Sequence, residues 1–455
     1  MATATTAALN IAGRRQLFID DWLVAKTHGV SRALHQPAKY VGNPVIHPTY
    51  PMERAITIYG AILYDPAESL FRMWYQGQGP NDYVASYATS RDGIFWEKPS
   101  LGLVELDGNT ENNAVLADIC LPNVIEDPRD SDPDRRYKMF YWDRSIERDP
   151  GVAHVSVAFS PDGLHWTRYE GNPVIRRTGD THNLLGWDEA LGQYVAFPRA
   201  AARVGDGVVR LVGRSVSDDF MQWSAPEVVF APDAGDPPGL EIYGMSVFKH
   251  EELYLGLPWA FHTYQEESVS RGGGTIDVQL AASRDGRQWE RIGDRQPFIP
   301  LGPPGSVDRG MIFTAKEPVV VGDELWFYYG AYDGEHSVGA RTGTICLAKL
   351  RQDGFVSLDA DEGGGTVLTR PFVCAGEQLT INADARGGEV AVAVLDEQGQ
   401  EHGAYRKVES AKIDGDSVRQ RVTWRQHHSL APLQGKPIRL KFYLRSASLY
   451  SFHIS

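Results

Sequence analysis

Short apolar runs rich in aromatic residues recur along the first three quarters of the chain. Each run is too short for a helix, and its aromatic and β-branched side chains are typical of buried strands. The runs are Phe71–Tyr75, Tyr137–Tyr141, Tyr194–Phe197, Leu253–Leu257 and Leu325–Tyr329. Turn-forming residues separate them, and no long stretch has helical periodicity. The pattern therefore predicts an all-β protein.

A short phrase, Ser-x-Asp-Gly-x-x-Trp, follows each of the first four runs. Its copies are Ser90–Trp96, Ser160–Trp166, Ser217–Trp223 and Ser283–Trp289, and a degenerate fifth copy is Arg351–Ser357. The third copy has Phe in place of Gly. The copies begin 57–70 residues apart, a longer period than the roughly 40–50 residues of WD40 or kelch repeats. This regularity predicts five repeated β-units with long loops.

The chemistry of the phrase is that of a tight turn. An Asp side chain accepts backbone N–H bonds, Gly tolerates a positive φ, and a Trp three residues later covers the turn with apolar surface. The phrase resembles the Asp-box of sialidases, which lies on outer hairpins away from the catalytic centre. We therefore interpret its Asp and Trp residues as structural.

Three or four strands in each of five units predict a five-bladed β-propeller over residues 1–365. The pattern then changes. Residues 366–455 contain Val390–Leu395, Val418–Trp424 and Ile438–Leu444, which alternate or run apolar between turns. They predict a β-sandwich that buttresses the propeller, or that binds sugar through an aromatic residue such as Trp424. Leu17–Leu23 is expected to close the ring by pairing with the last blade.

Charge and cysteine content exclude several functions. The net charge of −14 argues against nucleic acid and anionic membranes as partners. Three cysteines indicate no disulfide framework or zinc cluster. The N-terminus has no signal-peptide pattern and no apolar run reaches membrane-spanning length, so a cytoplasmic protein is expected, or a secreted one if a leader had been removed. The sequence is compatible with a homo-oligomer.

Five blades with Asp-boxes followed by a sandwich resemble the furanosidase-type glycoside hydrolases, namely the invertase and levanase group and the arabinanase and xylosidase group. Glu126–Pro128 stands closest to the Arg-Asp-Pro of invertase-like enzymes. Tyr328–Asp333 is similar to a phrase of the mannoside phosphorylases. The resemblance implies a glycosidase whose substrate is an oligosaccharide or glycoside, with fructofuranosides and arabinofuranosides favoured. It also implies catalytic acids near the start of the innermost strands.

Three carboxylates at such positions are the catalytic candidates: Asp180, Glu241 and Asp308. Glycoside cleavage needs one carboxyl held protonated and one ionised. Asp308 lies beside Arg309 and suits the ionised role, whereas Glu241 has apolar neighbours and suits the protonated one. Asp180 would be a third acid that binds sugar hydroxyls or tunes the acid. The roles are interchangeable among the three at this point.

Further polar and aromatic residues near the strand starts, or after the second strands, are candidates for sugar contacts. They are Glu53, Arg54, Gln76, His182, Arg199, Trp259, Arg309, Asp333 and His336. Two interpretations of Trp259 remain open from the sequence. Its indole either stacks on a sugar ring or packs in the protein core. No cofactor is expected, although His182 and His336 are compatible with a structural metal ion in the channel.

Three functions remain open from the sequence. The first is a glycoside hydrolase that uses acid/base catalysis. The second is a glycoside phosphorylase of the same fold, for which Arg54, His182, Arg309 and Lys316 could supply the cations that phosphate needs. The third is a non-catalytic carbohydrate-binding propeller, because a fold does not determine a function.

Overall fold

The computed structural model describes residues 8–11, 13–50, 53–79, 83–146, 153–178, 180, 182–204, 207–264, 273–337, 339 and 341–455. Strands account for the regular structure of these residues, and no α-helix occurs among them. Their only helical turns are short 3-10 segments, at Pro133–Arg135, Gly293–Arg295, Gly403–Tyr405, Lys407–Glu409 and Ala431–Leu433. No helix in the described ranges has the length and apolar character needed to cross a membrane. The protein is therefore all-β, as predicted.

The chain forms two compact units. The larger contains Pro37–Val321 and Leu325–Lys349. The smaller contains the described residues up to Gln36, together with Gly322–Glu324 and Leu350–Ser455. The smaller unit thus begins earlier than the boundary at residue 365 that the sequence suggests, because Val356–Ala360 pairs with Ala447–Ile454.

The larger unit contains five successive sheet modules, which we call modules 1 to 5. Module 1 has the strands Ala55–Thr57, Ile62–Asp65, Leu70–Gln78, Tyr83–Ser90, Trp96–Glu97 and Ala114–Ala117. Module 2 has Ile119–Glu126, Tyr137–Asp143, Ala153–Ser160, Thr167–Arg168 and Ile175–Thr178. Module 3 has His182–Asp188, Gln193–Val204, Gly207–Ser217 and Glu227–Phe230. Neighbouring strands within these modules are antiparallel.

Modules 4 and 5 are joined by one parallel bridge, Ile276 to Met311. Module 4 has Leu240–His250, Leu253–Thr263, Gly274–Val278, Leu280–Ser283 and Glu290–Ile292. Module 5 has Met311–Thr314, Val319–Val321, Glu324–Tyr332, Gly343–Arg351 and, from the start of the chain, Ala38–Lys39. Each of the five apolar runs found in the sequence lies in a long strand of one module, and these strands are Leu70–Gln78, Tyr137–Asp143, Gln193–Val204, Leu253–Thr263 and Glu324–Tyr332.

The segment that completes module 5 is not the one that the sequence suggested. Ala38–Lys39 pairs with Ala348 and Lys349, and Ile46 bridges to Ile345. Leu17 instead pairs with Ser451 in the smaller unit. The prediction for Leu17–Leu23 was therefore wrong. An apolar strand can pair with any open sheet edge, and its sequence does not say which edge it meets.

The modules pack against one another in a cycle. Separate clusters of buried side chains join module 5 to module 1, module 1 to module 2, module 2 to module 3, and module 3 to module 4. Between modules 4 and 5, the rings of Phe298 and Phe327 meet edge-on with centroids 5.5 Å apart. Each module therefore buries both faces of its sheet, which explains why its strands are apolar without alternation.

The four repeated phrases form one kind of turn. In each, a carboxylate oxygen of the Asp accepts two backbone N–H bonds of 2.7–2.9 Å, at Asp92, Asp162, Asp219 and Asp285. The following residue has a positive φ in every copy, including Phe220 at 68°. In the first three copies the Trp indole N–H donates back to the carbonyl of that residue.

The turn also contacts the preceding module. The carbonyl of Gly163 accepts a second bond, 2.7 Å long, from the indole of Trp74 in module 1. The carbonyl of Gly93 in module 1 accepts a 2.7 Å bond from the hydroxyl of Tyr328 in module 5. A Cβ at Gly163 would lie 2.6 Å from the Trp74 ring. The glycine is therefore needed for a close approach as well as for its positive φ.

The smaller unit consists of two sheets of six strands. One contains Leu9–Asn10, Val24–His28, Gly365–Thr369, Phe372–Val373, Glu389–Leu395 and Pro437–Arg445. The other contains Gln16–Leu17, Ser31–Leu34, Val356–Ala360, Leu379–Asp384, Asp416–Arg421 and Ala447–Ile454. Buried side chains of both sheets belong to one apolar cluster. Trp424 is in this cluster at 1% exposure and donates to the carbonyl of Val392, so it is a core residue and not a sugar-binding surface.

We predict that Gly163→Ala destabilises the protein more than Gly192→Ala does. Both glycines have a positive φ, 79° and 65°, which costs an alanine about 1–2 kcal/mol. A Cβ at Gly192 meets nothing within 4 Å, whereas one at Gly163 collides with Trp74 and adds about 1–3 kcal/mol of overpacking. Urea unfolding at neutral pH measures the difference. Equal midpoints for the two variants would contradict the proposed contact between modules.

Candidate functional site

A cavity of about 240 Å³ is lined by side chains from modules 1, 2, 4 and 5 and by Asp180, which immediately precedes the first strand of module 3. Its lining residues are Tyr59, Gln76, Gln78, Tyr83, Cys120, Leu121, Trp142, Asp180, Tyr243, Met311, Phe313, Tyr332, His336 and Arg341. A larger groove of about 760 Å³ lies beside the second phrase turn, but it takes residues from modules 1 and 2 alone. We place the candidate site in the smaller cavity because residues from four modules line it, because Arg199 of module 3 pairs with its Asp180, and because it holds three residues predicted from the sequence.

Asp180 lies between modules 2 and 3 and forms an ion pair with Arg199. The Asp180 side chain is 39% exposed, whereas that of Arg199 is 7% exposed. Arg199 also donates a 2.6 Å bond to the carbonyl of Tyr243, and its guanidinium lies 4.4 Å from the centre of the Tyr243 ring. A buried arginine with two anchoring contacts therefore holds an accessible carboxylate at the cavity.

Glu241 forms a second arginine pair close by. Its side chain is fully buried and accepts a 2.7 Å bond from the guanidinium of Arg210. The backbone N–H of Arg210 also approaches the same oxygen, at 3.3 Å. The Arg210 guanidinium lies 5.4 Å from the rings of both Tyr243 and Phe261. Tyr243 thus has an arginine–carboxylate pair on each side.

His336 lies against the same aromatic group. Its ring centroid is 5.3 Å from that of Tyr243 and 5.0 Å from that of Phe261. Burial, and then the charges of Arg210 and Arg341, together lower the pKa of His336 to about 4. The imidazole is therefore neutral at physiological pH, and it can donate or accept one hydrogen bond at each ring nitrogen.

The remaining cavity wall is rich in tyrosine. Burial raises the pKa of Tyr59 and that of Tyr243, and it raises the pKa of Tyr332 to about 12. These hydroxyls stay protonated at neutral pH and can donate hydrogen bonds to a ligand. Gln76 accepts a 2.7 Å bond from the backbone N–H of Leu121, which orients its amide. Aromatic faces with a few fixed polar groups are typical of small-molecule sites.

Of the predicted catalytic residues, the structure does not bring Asp308 into this cavity. Its carboxylate accepts bonds from Lys39 at 2.6 Å, from Ser306 at 2.9 Å and from Tyr329 at 3.1 Å. Asp308 is 5% exposed. These contacts tie module 5 to the Ala38–Lys39 segment, which explains a buried carboxylate there without any catalytic role.

Glu53 and Trp259 are also internal residues. Glu53 is 4% exposed and accepts bonds of 2.7 Å from both Lys98 and Tyr75. Trp259 is fully buried, donates a 3.0 Å bond to Thr314, and lies behind the cavity residue Tyr59 with ring centroids 5.3 Å apart. Their contacts are those of structural residues, and for Trp259 they favour the packing interpretation.

The other predicted contacts are dispersed. Arg54 and Arg309 are exposed and do not line the cavity. Asp333 accepts a 2.7 Å bond from the backbone of Thr342 in the loop that carries His336. His182 is described by its backbone alone, as the first residue of its strand. Among the described residues, no group of three His, Cys, Asp or Glu side chains could hold a metal ion.

Several cavity residues escaped the sequence analysis, notably Tyr83, Trp142, Arg210, Tyr332 and Arg341. Arg210 lies in the third strand of module 3, a position that the search of strand starts did not cover. Arg341 follows His336 in the same loop, so extending that search along the loop would have found it. The tyrosines carried no such signal, because aromatic residues are frequent in every strand of the chain.

Comparison with known proteins supports the fold. No protein-family model matches the sequence. One solved structure comes from the GH130 family of mannoside phosphorylases, which contains glycoside hydrolases that target β-1,2 mannosidic linkages in Candida mannan. It has a TM-score of 0.50 and 16% identity, over 70% of this chain and 94% of the other. A second solved structure, named glycoside hydrolase, also has a TM-score of 0.50 and 16% identity. The match covers 70% of this chain and 92% of that structure's chain.

A curated relative is the A type blood N-acetyl-α-D-galactosamine deacetylase of Flavonifractor plautii. It is 22% identical over 262 residues, which are 50% of this chain and 32% of that protein. The chain spans about a third of the length of the curated relatives it matches. Likeness at these identities is a likeness of fold. The larger part of the chain thus has a fold similar to that of solved glycoside hydrolase structures.

Proposed function

We propose that this protein is a glycoside hydrolase that cleaves its substrate in the cavity lined by Asp180. The observation that carries the proposal is Asp180, an accessible carboxylate held by a buried arginine in a tyrosine-rich cavity. The similarity of fold to glycoside hydrolase structures supports it. A furanoside substrate is favoured by the resemblance of the sequence, and nothing in the cavity wall selects the ring size.

In this proposal the modules are the blades of a five-bladed β-propeller, and the two sheets of the smaller unit form a β-sandwich that takes strands from the start of the chain as well as from its last hundred residues. The cyclic packing of the modules supports the propeller, because each module meets one neighbour on either side. The phrase turns would be Asp-boxes, which their shared hydrogen bonds support. The single apolar cluster between two sheets supports the sandwich.

Asp180 is the carboxylate that we assign to proton transfer at the glycosidic bond or at the attacking water. It is the only carboxylate among the described residues of the cavity wall. Glu241 has no exposed side-chain surface and is bonded to Arg210. We therefore assign Glu241 as a positioning residue, which holds Arg210 against Tyr243, rather than as the acid suggested by its apolar sequence neighbours.

The tyrosines and Gln76 are assigned to sugar binding. A sugar ring offers apolar C–H faces and hydroxyl edges, and the wall offers aromatic faces beside hydroxyl and amide groups. Neutral His336 adds a hydrogen-bonding group without adding charge. Because these groups come from different modules, their spacing depends on the packing of the modules.

A glycoside phosphorylase is the second candidate. Hydrolysis by the usual routes needs two carboxyl groups at the sugar, and one is found among the described residues of the wall. In phosphorolysis the attacking group is phosphate itself, so that one protein acid suffices. Of the four phosphate cations suggested from the sequence, Arg54, Arg309 and Lys316 do not line the cavity, and the His182 side chain lies outside the described part of the structure. Hydrolysis therefore remains the leading proposal. Turnover that requires phosphate would make the glycoside phosphorylase the leading proposal.

We predict that Asp180→Asn lowers kcat by about 10²- to 10⁴-fold, because it removes the group that transfers the proton. Asp107→Asn is a matched control, since Asp107 is an exposed turn residue of the same unit. The assay is a screen of aryl furanosides, aryl pyranosides and short oligosaccharides, with and without phosphate. Full turnover by Asp180→Asn would contradict the assignment. Binding of sugars without cleavage by the wild type would favour the non-catalytic alternative.

We predict opposite pH effects on stability at His336 and His262. An unfolded histidine takes up a proton below about pH 6.5, whereas burial keeps folded His336 neutral down to about pH 4. Stability therefore falls as the pH drops through this window, and His336→Gln removes that loss. The hydrogen bond to Asp277 raises the pKa of His262, so His262 stabilises the fold below pH 6.5 and loses this contribution as the pH rises through its folded pKa.

The measurement is the urea midpoint of each variant at pH 7 and pH 5. Relative to wild type, His336→Gln should gain stability on going to pH 5, and His262→Gln should lose it. A change of the same sign in both variants would show that His336 is not held neutral.

A further inference from the structure

Arginine side chains lie both in the cavity wall and beside it. Arg199 is paired with Asp180 and Arg210 with Glu241. Arg144 lies behind the wall, 4.7 Å from the centre of the Tyr83 ring and 5.1 Å from that of Trp142. Arg341 is the one arginine among the described lining residues, and it is exposed. Among the described residues, no carboxylate lies within ion-pair distance of its guanidinium, so Arg341 adds an unpaired positive charge to the wall of a protein whose net charge is −14.

The immediate contacts of Arg341 leave its charge uncompensated. One guanidinium nitrogen donates a 3.3 Å bond to the backbone carbonyl of Glu335, and the group lies 5.7 Å from the centre of the Tyr332 ring. The Glu335 side chain acts instead on Tyr264, whose pKa it raises. The guanidinium thus retains donors for a further acceptor.

The charge of Arg341 also acts on the cavity wall. Burial lowers the pKa of His336, and Arg341 lowers it further. Burial raises the pKa of Tyr83 and of Tyr332, and Arg341 opposes both rises. The charge of Arg341 therefore shifts the pKa of three wall residues. Its electrostatic field extends into the space that a ligand would fill.

We propose that the sugar bound in this cavity carries a carboxylate, and that Arg341 recognises it. This rests on the proposed function and specifies its substrate class as a uronic acid glycoside. A single guanidinium in the described wall matches a monoanion, and its planar donors fit a carboxylate through two parallel hydrogen bonds. Phosphate, with more negative charge, is usually bound by several cations. Arg199 and Arg210 are already paired, and Arg144 lies behind the rings of Tyr83 and Trp142.

The test compares sugars that differ only at C6. The probes are the methyl glycosides of glucuronic, galacturonic, mannuronic, guluronic and iduronic acids, each beside its neutral hexoside, in both anomeric forms. Affinity is measured by isothermal titration and cleavage by product analysis, with and without phosphate. The full chain is used as wild type, Arg341→Gln and Arg341→Lys. The control is Arg287→Gln, because Arg287 is an exposed arginine paired with Glu227 in a phrase turn.

At least one uronide should bind the wild type about 10- to 100-fold more tightly than its neutral counterpart, as expected for a hydrogen-bonded charge pair. Arg341→Gln should remove this preference and leave the affinity for neutral sugars unchanged. Arg341→Lys should retain part of the preference for uronides, and the control Arg287→Gln should retain all of it. Equal affinity for uronide and hexoside, unchanged uronide affinity in Arg341→Gln, or no binding of any uronide would overturn the inference.

The outcomes separate this inference from the proposed function. Uronide binding through Arg341 without cleavage of any glycoside would uphold the inference and refute the hydrolase. Cleavage of neutral glycosides without a preference for uronides would support the hydrolase and refute the inference about Arg341. Phosphate-dependent turnover that is lost in Arg341→Gln would assign Arg341 to the acceptor phosphate and overturn the inference.

Discussion

The contact between each repeated turn and the module before it is the interaction on which the larger unit depends. A sheet with two apolar faces cannot stand alone in water, so each module is stable only between two neighbours. The turn glycines allow the closest of these approaches. The carbonyls of Gly93 and Gly163 each accept two side-chain donors, one from their own module and one from the preceding module. The phrase thus specifies both the hairpin and its packing.

This packing positions the candidate site. The cavity wall combines single residues from strands and loops that are far apart in the chain, so that its geometry is a property of the packed modules. Tyr243 lies at its centre, flanked by the Arg199–Asp180 and Arg210–Glu241 pairs. Both arginines are largely buried, and a buried charge is stable only when it is paired. The pairs therefore constrain where Asp180 and Tyr243 can lie.

The paired arginines of this site and the group formed by Arg341 and His336 have different electrostatic roles. The paired arginines orient groups and cancel the carboxylates beside them. Arg341 and neutral His336 set the charge that a ligand meets. The net charge of −14 carries no information about this local balance, because charges more than about 10 Å apart are largely screened at physiological salt. The sign of the local charge in a binding site cannot be inferred from the net charge of the chain.

The sequence by itself determined the all-β class, the five long strands such as Leu70–Gln78, the four phrase turns and the change of pattern near residue 365. These features depend on neighbours along the chain, where the spacing of apolar, glycine and aspartate residues carries the signal. It also identified Asp180, Gln76 and His336 as cavity residues, because each adjoins a strand end.

The tertiary structure decided the rest. It assigned Asp308 and Glu53 to internal ion pairs, added Arg210 and Arg341 to the site, and chose Ala38–Lys39 rather than Leu17–Leu23 as the strand that completes module 5. The physical reason is the same in each case. Whether a carboxylate meets a lysine, an arginine or solvent depends on residues from other modules, and the linear sequence does not encode those distances locally.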